Sequence, residues 1–501
     1  MNTPKGVAEY WKRVCHTVNY DGISEWYRAK GCCRKFFWTI IMLGTVAPIV
    51  YYTYTLTTQY LGRPSATQLI EERKERMDFP NVTICHSARF NKTYIEQNIN
   101  VDYVRFAPGF PAYGTSAQML SDFIQWLTYT AFQPLQMSDE KGTALEYIYQ
   151  FYFNESVNTK GLPKFDLQTF VRDAALDCTK ILTKCAFGAH VFSCCENAIP
   201  IWNEFGICYQ IKIVGADGTS KQMIPGTTGG LKIWAQVDRT VVPIGGFDDS
   251  VGLRVHVSPG QVTPCDNPIF IPPNKHALIR IDATLLSFDQ SIDNCTTNPP
   301  KLFGVPYSQG ACSNECLQNI SLAQCRCRTM GFGIKVSADE VCTPLMMATC
   351  VIPLTIGMKT DDDEDMKNVL AQMNCVYDRC PKQCQQWIYD TYVSYQNIIP
   401  TTNVTYNYVY DKPIPEQTDA YMFTAFFGEI KVTEVKSAPL WDFNTFICNL
   451  GGLLGLWTGL SLITLVQVVI YCYYIPCCYE GDKDPTFLAP DMYEVARKAK
   501  N

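Results

Sequence analysis

Two long stretches of the chain contain no charged residue. The first includes residues 36–56, and a helix of these 21 residues is about 31 Å long at about 1.5 Å per residue, which matches the hydrocarbon core of a bilayer. The second lies between Asp442 and Glu480 and holds 37 residues, more than one straight crossing needs. The pattern predicts a membrane protein with two transmembrane helices, at 36–56 and 445–475, and the extra length of the second run indicates an interruption.

Shorter patterns between these runs predict a region of mixed α and β structure. Apolar and polar residues alternate at 253–258, 279–282 and 430–433, as they do in half-buried strands. Residues 119–127 place apolar side chains at helical spacing after Ser116, which predicts an amphipathic helix. Because no internal repeat and no long Gly/Ser linker divides the region, we expect residues 57–444 to form one α+β domain with a β-sheet core.

The distribution of charge predicts that this domain is extracellular. Residues 1–35 carry seven Lys or Arg against three acids, so the positive-inside rule predicts a cytosolic N-terminal segment. The 35 residues before the first apolar run fit a retained anchor better than a cleaved signal peptide. Two crossings then return residues 476–501 to the cytosol.

The overall composition excludes one class of partner. The chain has 501 residues, of which 47% are hydrophobic, so it can bury a substantial core. Its net charge of -6, with 18% charged residues, lacks the clustered Lys and Arg that nucleic-acid binding needs. We expect no nucleic-acid partner.

Cysteine usage indicates an oxidising compartment. The chain has 24 cysteines, 17 of them in residues 57–444, which favours a disulfide framework. A zinc site is disfavoured because zinc needs closely paired Cys or His ligands and this region has few His, so we expect no metal and no cofactor. Six Asn-x-Ser/Thr sequons fall in the same region and fit an extracellular domain. These sequons are at Asn81, Asn91, Asn154, Asn294, Asn319 and Asn403.

Three segments resemble a known family when they are taken together. Residues 79–85, Phe-Pro-Asn-Val-Thr-Ile-Cys, follow the first apolar run, residues 307–384 form a cysteine-rich segment, and residues 451–461 read Gly-Gly-Leu-Leu-Gly-Leu-Trp-Thr-Gly-Leu-Ser. They are similar to segments of the degenerin/epithelial sodium channel/acid-sensing ion channel superfamily. The resemblance covers the chain from its N-terminus to the end of the second apolar run.

The resemblance implies that the second apolar run is a pore helix. Glycine costs about 1 kcal/mol in a helix relative to Ala, and small residues at three- or four-residue spacing allow close backbone approach. In the family a Gly-x-Ser triplet interrupts the span, and its backbone carbonyls line a constriction. Carried over, the triplet is Gly459, Leu460 and Ser461, and carbonyl coordination suits a run without charge.

Several positions depart from the family pattern. Asn449 stands where the family has Asp, and Gln467 stands where it has Glu, so two rings of acids at the pore mouth are replaced by amides. Gly451 and Gly452 complete this pore-mouth set. The inner-mouth motif of the family, His-Gly, reads Asp21-Gly22 here. Because acidic rings concentrate cations, these changes bear on conductance and sodium selectivity.

The resemblance also implies disulfide pairings that spacing alone does not give. The pairs leave Cys194, Cys195 and Cys265 without a partner, and we expect Cys265 to bridge Cys194 or Cys195. The implied pairs are Cys85-Cys208, Cys178-Cys185, Cys295-Cys384, Cys312-Cys380, Cys316-Cys375, Cys325-Cys350 and Cys327-Cys342.

The predicted function is that of a channel subunit and not of an enzyme. The resemblance implies a homo- or heterotrimer in the plasma membrane that conducts Na⁺, is of the amiloride-sensitive type and is gated through its extracellular domain. Two alternatives remain: a regulatory subunit that conducts only in heteromers, and a two-span surface receptor without a pore. A two-span ATP-gated channel is disfavoured because the sequence lacks a lysine-rich phosphate site. The sequence does not identify the gating stimulus.

Overall fold

The structure is a computed structural model that divides into two compact units. One comprises residues 1–66 with 438–501, and the other comprises residues 67–437, slightly fewer than the predicted domain. The residues that the structure describes are 25–26, 29–87, 90–105, 109–111, 114–127, 139–154, 157–158, 161–163, 165–203, 206–242, 251–259, 268–290, 292–299, 307–328, 341–342, 346–351, 353, 380–398, 417–459 and 461–469.

The first unit contains three described helices. They are α1 (Cys32–Gly62), α9 (Phe443–Thr458) and α10 (Leu462–Val469). Within the described ranges, α1 is the one helix long and apolar enough to cross a membrane, and it contains the whole of the charge-free run at 36–56. Within the described residues the second run is divided between α9 and α10, and neither helix reaches membrane-spanning length there. Its crossing of the membrane stays a prediction.

The second unit contains seven further α-helices in its described part. They are α2 (Lys92–Asn98), α3 (Val101–Arg105), α4 (Ser116–Leu127), α5 (Asp139–Phe153), α6 (Leu167–Ala174), α7 (Cys178–Ile181) and α8 (Gln309–Cys325). Short 3₁₀ turns lie at Cys195–Asn197 and Arg239–Val241, and a π-helical turn lies at Met347–Val351. The predicted amphipathic helix is confirmed as α4, whose Met119 and Phe123 are fully buried.

Sixteen strands are described. They are β1 (Ser65–Arg73), β2 (Met77–Asp78), β3 (Asn81–His86), β4 (Leu182–Phe187), β5 (His190–Phe192), β6 (Ala198–Asn203), β7 (Gly206–Ile211), β8 (Lys221–Gln222), β9 (Leu231–Asp238), β10 (Leu253–Ser258), β11 (Ile269–Ile271), β12 (Lys275–Ser287), β13 (Cys295–Thr296), β14 (Lys382–Gln383), β15 (Gln385–Asn397) and β16 (Thr418–Pro439). The three predicted strands are confirmed within β10, β12 and β16.

Two sheets carry the core of the larger unit. A seven-stranded sheet has the order β15-β12-β16-β9-β4-β5, with β1 paired to β16, and a five-stranded sheet has the order β11-β10-β3-β7-β6. Strands β12 and β16 are parallel neighbours, and both contribute fully buried side chains, such as Ile279 and Phe423, to a hydrophobic cluster that draws on both sheets. A separate cluster, rich in aromatic residues, joins helices α2 to α6.

Strand β10 differs from the prediction of a half-buried strand. Leu253 and Val255 are fully buried, as expected, but Arg254 and His256 on the opposite face are only 4% and 5% exposed. Phe270 of β11 is in register with Arg254, and its ring centre lies 5.4 Å from the guanidinium carbon. Alternation of polarity therefore identified the strand, but it did not reveal that the polar face is covered.

Seven disulfides join described cysteines, and two of them correct the predicted pairing. The implied bond Cys178-Cys185 is wrong, because Cys178 bonds Cys195 and Cys185 bonds Cys194. Strands β4 and β5 form an antiparallel pair, which folds the chain back and nests the second bond inside the first. The expected bridge from Cys265 to Cys194 or Cys195 is wrong for the same reason.

The other described disulfides agree with the pairs that the resemblance implied. They are Cys85-Cys208, Cys295-Cys384, Cys312-Cys380, Cys325-Cys350 and Cys327-Cys342. Cys316 is also disulfide-bonded. Its expected partner Cys375, like Cys265, lies outside the described residues.

Candidate functional site

The candidate pore segment begins with a capped helix. Asp442 adopts an extended backbone conformation and accepts a hydrogen bond from the backbone N–H of Thr445 at 2.8 Å, the arrangement of an N-cap. Hydrogen bonds from Thr445 lower the pKa of the Asp442 carboxyl. A carboxylate at a helix N-terminus also interacts favourably with the positive end of the helix dipole. Asp442 therefore fixes where α9 begins.

The same helix ends at a glycine in a left-handed conformation. Gly459 has φ 65° and ψ 14°, and its N–H donates to the carbonyl of Gly455 at 3.0 Å. Any residue with a Cβ costs about 1–2 kcal/mol in this conformation, so glycine suits the position. The hydroxyl of Thr458 donates to the Leu454 carbonyl at 2.6 Å, and the helical path resumes at Leu462.

The predicted pore triplet coincides with this break. Gly459 closes α9, and the exposed Ser461 directly precedes α10. Leu460 lies outside the described residues. A helix break leaves terminal carbonyls without an intrahelical hydrogen-bond donor, and such carbonyls are the groups that replace part of a cation's hydration shell in ion filters.

The predicted pore-mouth residues lie on the exposed surface of α9. Asn449, Gly451 and Gly452 are all exposed, and a Cβ added at either glycine would meet no atom within 4 Å. Gln467 belongs to α10. The inner-mouth pair Asp21 and Gly22 lies outside the described residues.

Helix α9 packs against α1 near the point where α1 ends. The rings of Tyr60 and Phe446 stack with centroids 4.5 Å apart, and the N–H of Leu440 donates to the carbonyl of Pro64 at 2.9 Å. Much of the remaining surface is apolar and exposed, with Leu456 83% exposed. This first unit thus presents apolar helix faces that a bilayer or other copies of the chain would cover.

Two threonines of helix α1 satisfy their hydroxyl groups within the helix. The hydroxyls of Thr45 and Thr55 donate to the carbonyls of Met42 and Tyr51, as Thr side chains in apolar helices commonly do. Because these hydroxyls need no outside partner, they do not prevent burial of the helix in lipid.

Five of the six sequon asparagines are described. Asn154, Asn294 and Asn319 are exposed, and Asn81 and Asn91 are partly buried. Asn91 caps α2, because its side-chain oxygen accepts the N–H of Thr93 at 3.0 Å. Asn403 lies outside the described residues.

Sequence patterns missed two buried polar groups in the larger unit. Asp419, whose side chain is 5% exposed, accepts a hydrogen bond from Arg239 Nε at 2.7 Å. Burial, together with the charge of Arg254, lowers the pKa of His256 to about 4. Residues 239 and 419 are far apart in the sequence, so no local pattern signals their contact.

Comparison with known proteins identifies the family. The sequence profile of the amiloride-sensitive sodium channel family matches residues 14–471. Acid-sensing ion channel 1C of Danio rerio is 22% identical over 457 residues, which cover 88% of this chain and 79% of the relative. The bile acid-sensitive ion channel of Homo sapiens is 22% identical over 486 residues, which cover 91% of this chain and 84% of the relative. Acid-sensing ion channel 1A of Danio rerio is 23% identical over 486 residues, which cover 92% of this chain and 85% of the relative. Because the family profile spans most of the chain, this protein belongs to the amiloride-sensitive sodium channel family, within the superfamily of epithelial sodium channels, degenerins and acid-sensing ion channels.

Proposed function

We propose that the chain is a subunit of a trimeric, sodium-permeable, amiloride-sensitive cation channel in the plasma membrane. Residues 67–437 form its extracellular gating domain, α1 and the 445–475 segment cross the membrane, and both termini are cytosolic. Protons and bile acids are the first stimuli to test, because relatives are named for sensitivity to them.

The observation that carries this proposal is the break in a charge-free helix at Gly459. A lipid-facing helix gains nothing from an interruption, because unsatisfied backbone groups are costly in hydrocarbon. Such groups are tolerated where they line a water-filled path. A break at the glycine of a Gly-x-Ser triplet therefore supports a permeation path that backbone carbonyls line.

Assembly from several copies follows from the number of helices. Two spans cannot enclose an aqueous path, so further copies must complete the wall of the pore. The exposed surface of α9, which includes Asn449, Gly451 and Gly452, is available for this purpose. The two neighbouring glycines leave room for close backbone approach by another helix.

A second candidate function is that of a regulatory subunit. Asn449 is an exposed amide where the family has an acid, and Gln467 replaces a second acid. Without acidic rings a homomer attracts fewer cations to the conduction path. A heteromer would obtain these charges from the other subunits.

The test is expression of the full chain in oocytes with two-electrode voltage clamp. Currents are recorded at neutral and acidic pH, with a bile acid, with sodium replaced, and with amiloride, and each is normalised to surface-biotinylated protein. We expect an inward sodium current that amiloride blocks.

Two glycine variants then test the pore assignment. Gly459→Ala places a Cβ at a left-handed position, which costs about 1–2 kcal/mol, and should change ion selectivity or abolish current at normal surface density. Gly44→Ala is the matched control, because Gly44 lies within α1 in open space and Ala favours helix by about 1 kcal/mol.

The outcomes separate the candidate functions. Equal selectivity and conductance in Gly459→Ala and wild type would exclude Gly459 from the permeation path. Current only upon co-expression with a related subunit, and sensitive to Gly459→Ala, would support the regulatory subunit. Surface protein without current in either setting would favour a receptor without a pore.

A further inference from the structure

A cluster of polar side chains holds the last residues of β16. The hydroxyl of Ser437 donates to the carboxylate of Asp293 and accepts the backbone N–H of Asp289 at 3.0 Å. The ammonium group of Lys382 lies 3.3 Å from the other carboxylate oxygen of Asp293 and 3.8 Å from the ring centre of Phe288. Three separate chain segments therefore meet at one carboxylate.

The segment that carries Asp293 is itself fixed to the chain around Lys382. A disulfide joins Cys295 to Cys384, and β13 pairs with β14, with Cys295 opposite Lys382. The N–H of Phe288 donates to the Cys384 carbonyl at 2.7 Å, and the N–H of Cys384 donates to the Thr296 carbonyl at 3.1 Å. The described residues of 288–297, which are 288–290 and 292–297, are thus bound to residues 382–384, and together we call them the stapled segment 288–297.

The contacts of Asp293 are charge-assisted and partly shielded from water. Hydrogen bonds from Ser437, and to a lesser degree from Lys382, lower the pKa of the Asp293 carboxyl. The side chains of Asp293 and Lys382 are 22% and 32% exposed. Hydrogen bonds to an ionised acceptor are roughly twice as strong as neutral ones, so this cluster restrains the end of β16 more firmly than a neutral contact would.

The position of Ser437 in the chain gives the cluster its significance. Ser437 is the last residue of the larger compact unit, and Asp442, which caps α9, follows five residues later. Any displacement of the end of β16 therefore acts on the chain directly before the candidate pore helix.

We propose that Asp293 is a positioning residue for gating, which holds the end of β16 against the stapled segment 288–297 so that movement of that segment reaches the chain leading into α9. This inference rests on the proposed channel function. It differs from that function because it names the contact through which the extracellular unit acts.

The variants change one side chain of the cluster at a time. Asp293→Asn keeps the size of the side chain but removes its charge, Ser437→Ala removes the bridging hydroxyl, and Ser437→Thr keeps it. The matched control is Asp217→Asn, because Asp217 also accepts a Thr219 hydroxyl at 2.8 Å, in an exposed turn that belongs neither to the stapled segment nor to the end of β16.

Gating is measured on the full chain in oocytes, with proton and bile-acid concentration series normalised to surface protein. We expect Asp293→Asn and Ser437→Ala to raise the concentration for half-maximal current at least about fivefold, roughly 1 kcal/mol when tenfold is about 1.4 kcal/mol. The reversal potential should not change, because the ion path is untouched. Ser437→Thr and Asp217→Asn should behave like wild type.

The double variant Asp293→Asn/Ser437→Ala distinguishes coupling from general damage. Both single changes weaken the hydrogen bond between Ser437 and Asp293, one through the charge of its acceptor and the other through loss of its donor, so the effect of the double variant should be smaller than the sum of the two single effects. Unchanged half-maximal concentrations in both single variants would overturn the proposal, and so would effects that simply add.

A measurement that does not depend on ion current separates this inference from the channel proposal. If wild type conducts under no condition, the channel proposal fails, and the contact is judged by amide hydrogen exchange of the purified full chain in detergent. Faster exchange at Asp289 and across residues 430–437 in Asp293→Asn than in Asp217→Asn would support the restraint. Equal exchange in the two variants would overturn it.

Discussion

The disulfide between Cys85 and Cys208 should contribute strongly to the stability of the larger unit. Ile84 of β3 pairs with Tyr209 of β7, so the two cysteines are the next neighbours across this strand pair, with Cα atoms 4.5 Å apart. Their exposed fractions are 1% and 0%. The bond closes a loop with a sequence separation of 123 residues, and loss of such a closure costs about 5 kcal/mol in the chain-entropy description.

A loss of this size is comparable to the free energy of unfolding of many domains, which is about 5–15 kcal/mol. We therefore expect the double variant Cys85→Ala/Cys208→Ala to be retained inside the cell, or to melt roughly 10 °C lower if it is purified. The double variant is preferable to Cys85→Ala because it leaves no thiol of this pair to form a wrong disulfide.

Two controls accompany this variant: removal of a disulfide that closes a shorter loop, and replacement of a cysteine that forms no disulfide. The Cys327-Cys342 bond has a sequence separation of only 15 residues, which corresponds to about 3 kcal/mol, so its removal should be milder. Cys32 is a free, exposed cysteine, and Cys32→Ala should not affect folding. Surface biotinylation and thermal unfolding measure all three. Wild-type surface density and melting temperature in Cys85→Ala/Cys208→Ala would refute the reasoning.

Three further predictions concern conduction, pairing and pH. Asn449→Asp and Gln467→Glu should raise single-channel cation conductance, most clearly at low ionic strength, where charges are screened over about 30 Å rather than about 8 Å; equal conductance at the lowest salt would place both side chains away from the ion path. Peptide mapping without reduction should recover the nested bonds from Cys178 and Cys185, and a peptide joining those two cysteines would contradict the structure. Folding lowers the pKa of His256 from its ordinary 6.5 to about 4, so the unfolded chain binds more protons than the folded chain between these two pH values. The free energy of unfolding should therefore fall as the pH drops from 6.5 to 4, by about 3 kcal/mol at most. Denaturant unfolding of His256→Gln should show a smaller dependence, and an unchanged one would exclude His256 as its source.

Local patterns were sufficient where a structure depends on local composition. The 36–56 run predicted α1 because length and absence of charge alone specify such a helix. Alternation predicted strands such as 279–282, since side chains on a strand point to opposite faces. The interruption of the second run was expected from its excess length, and glycine at 459 supplies the conformation that ends α9.

Contacts that depend on strand register were beyond sequence reasoning. The partners of Cys194 and Cys195 follow from the antiparallel pairing of β4 with β5. The resemblance instead implied Cys178-Cys185, which left Cys194 or Cys195 to be expected as the partner of Cys265, and both predictions were wrong. Asp293 and Ser437 are 144 residues apart, and neither stands in a motif. Both contacts become visible only when the sheets bring distant segments together.

Two glycines of α9 have no close neighbour among the described residues. Each costs about 1 kcal/mol of helix stability relative to Ala, and only Gly459 has a backbone conformation that needs glycine. Gly451 and Gly452 have helical backbone and open surroundings, so no close approach within the described chain accounts for them. Within a bilayer, helix association depends on close packing at small residues. The proposed assembly of several copies would give these two glycines a role, because they would let a neighbouring helix approach the backbone of α9 closely.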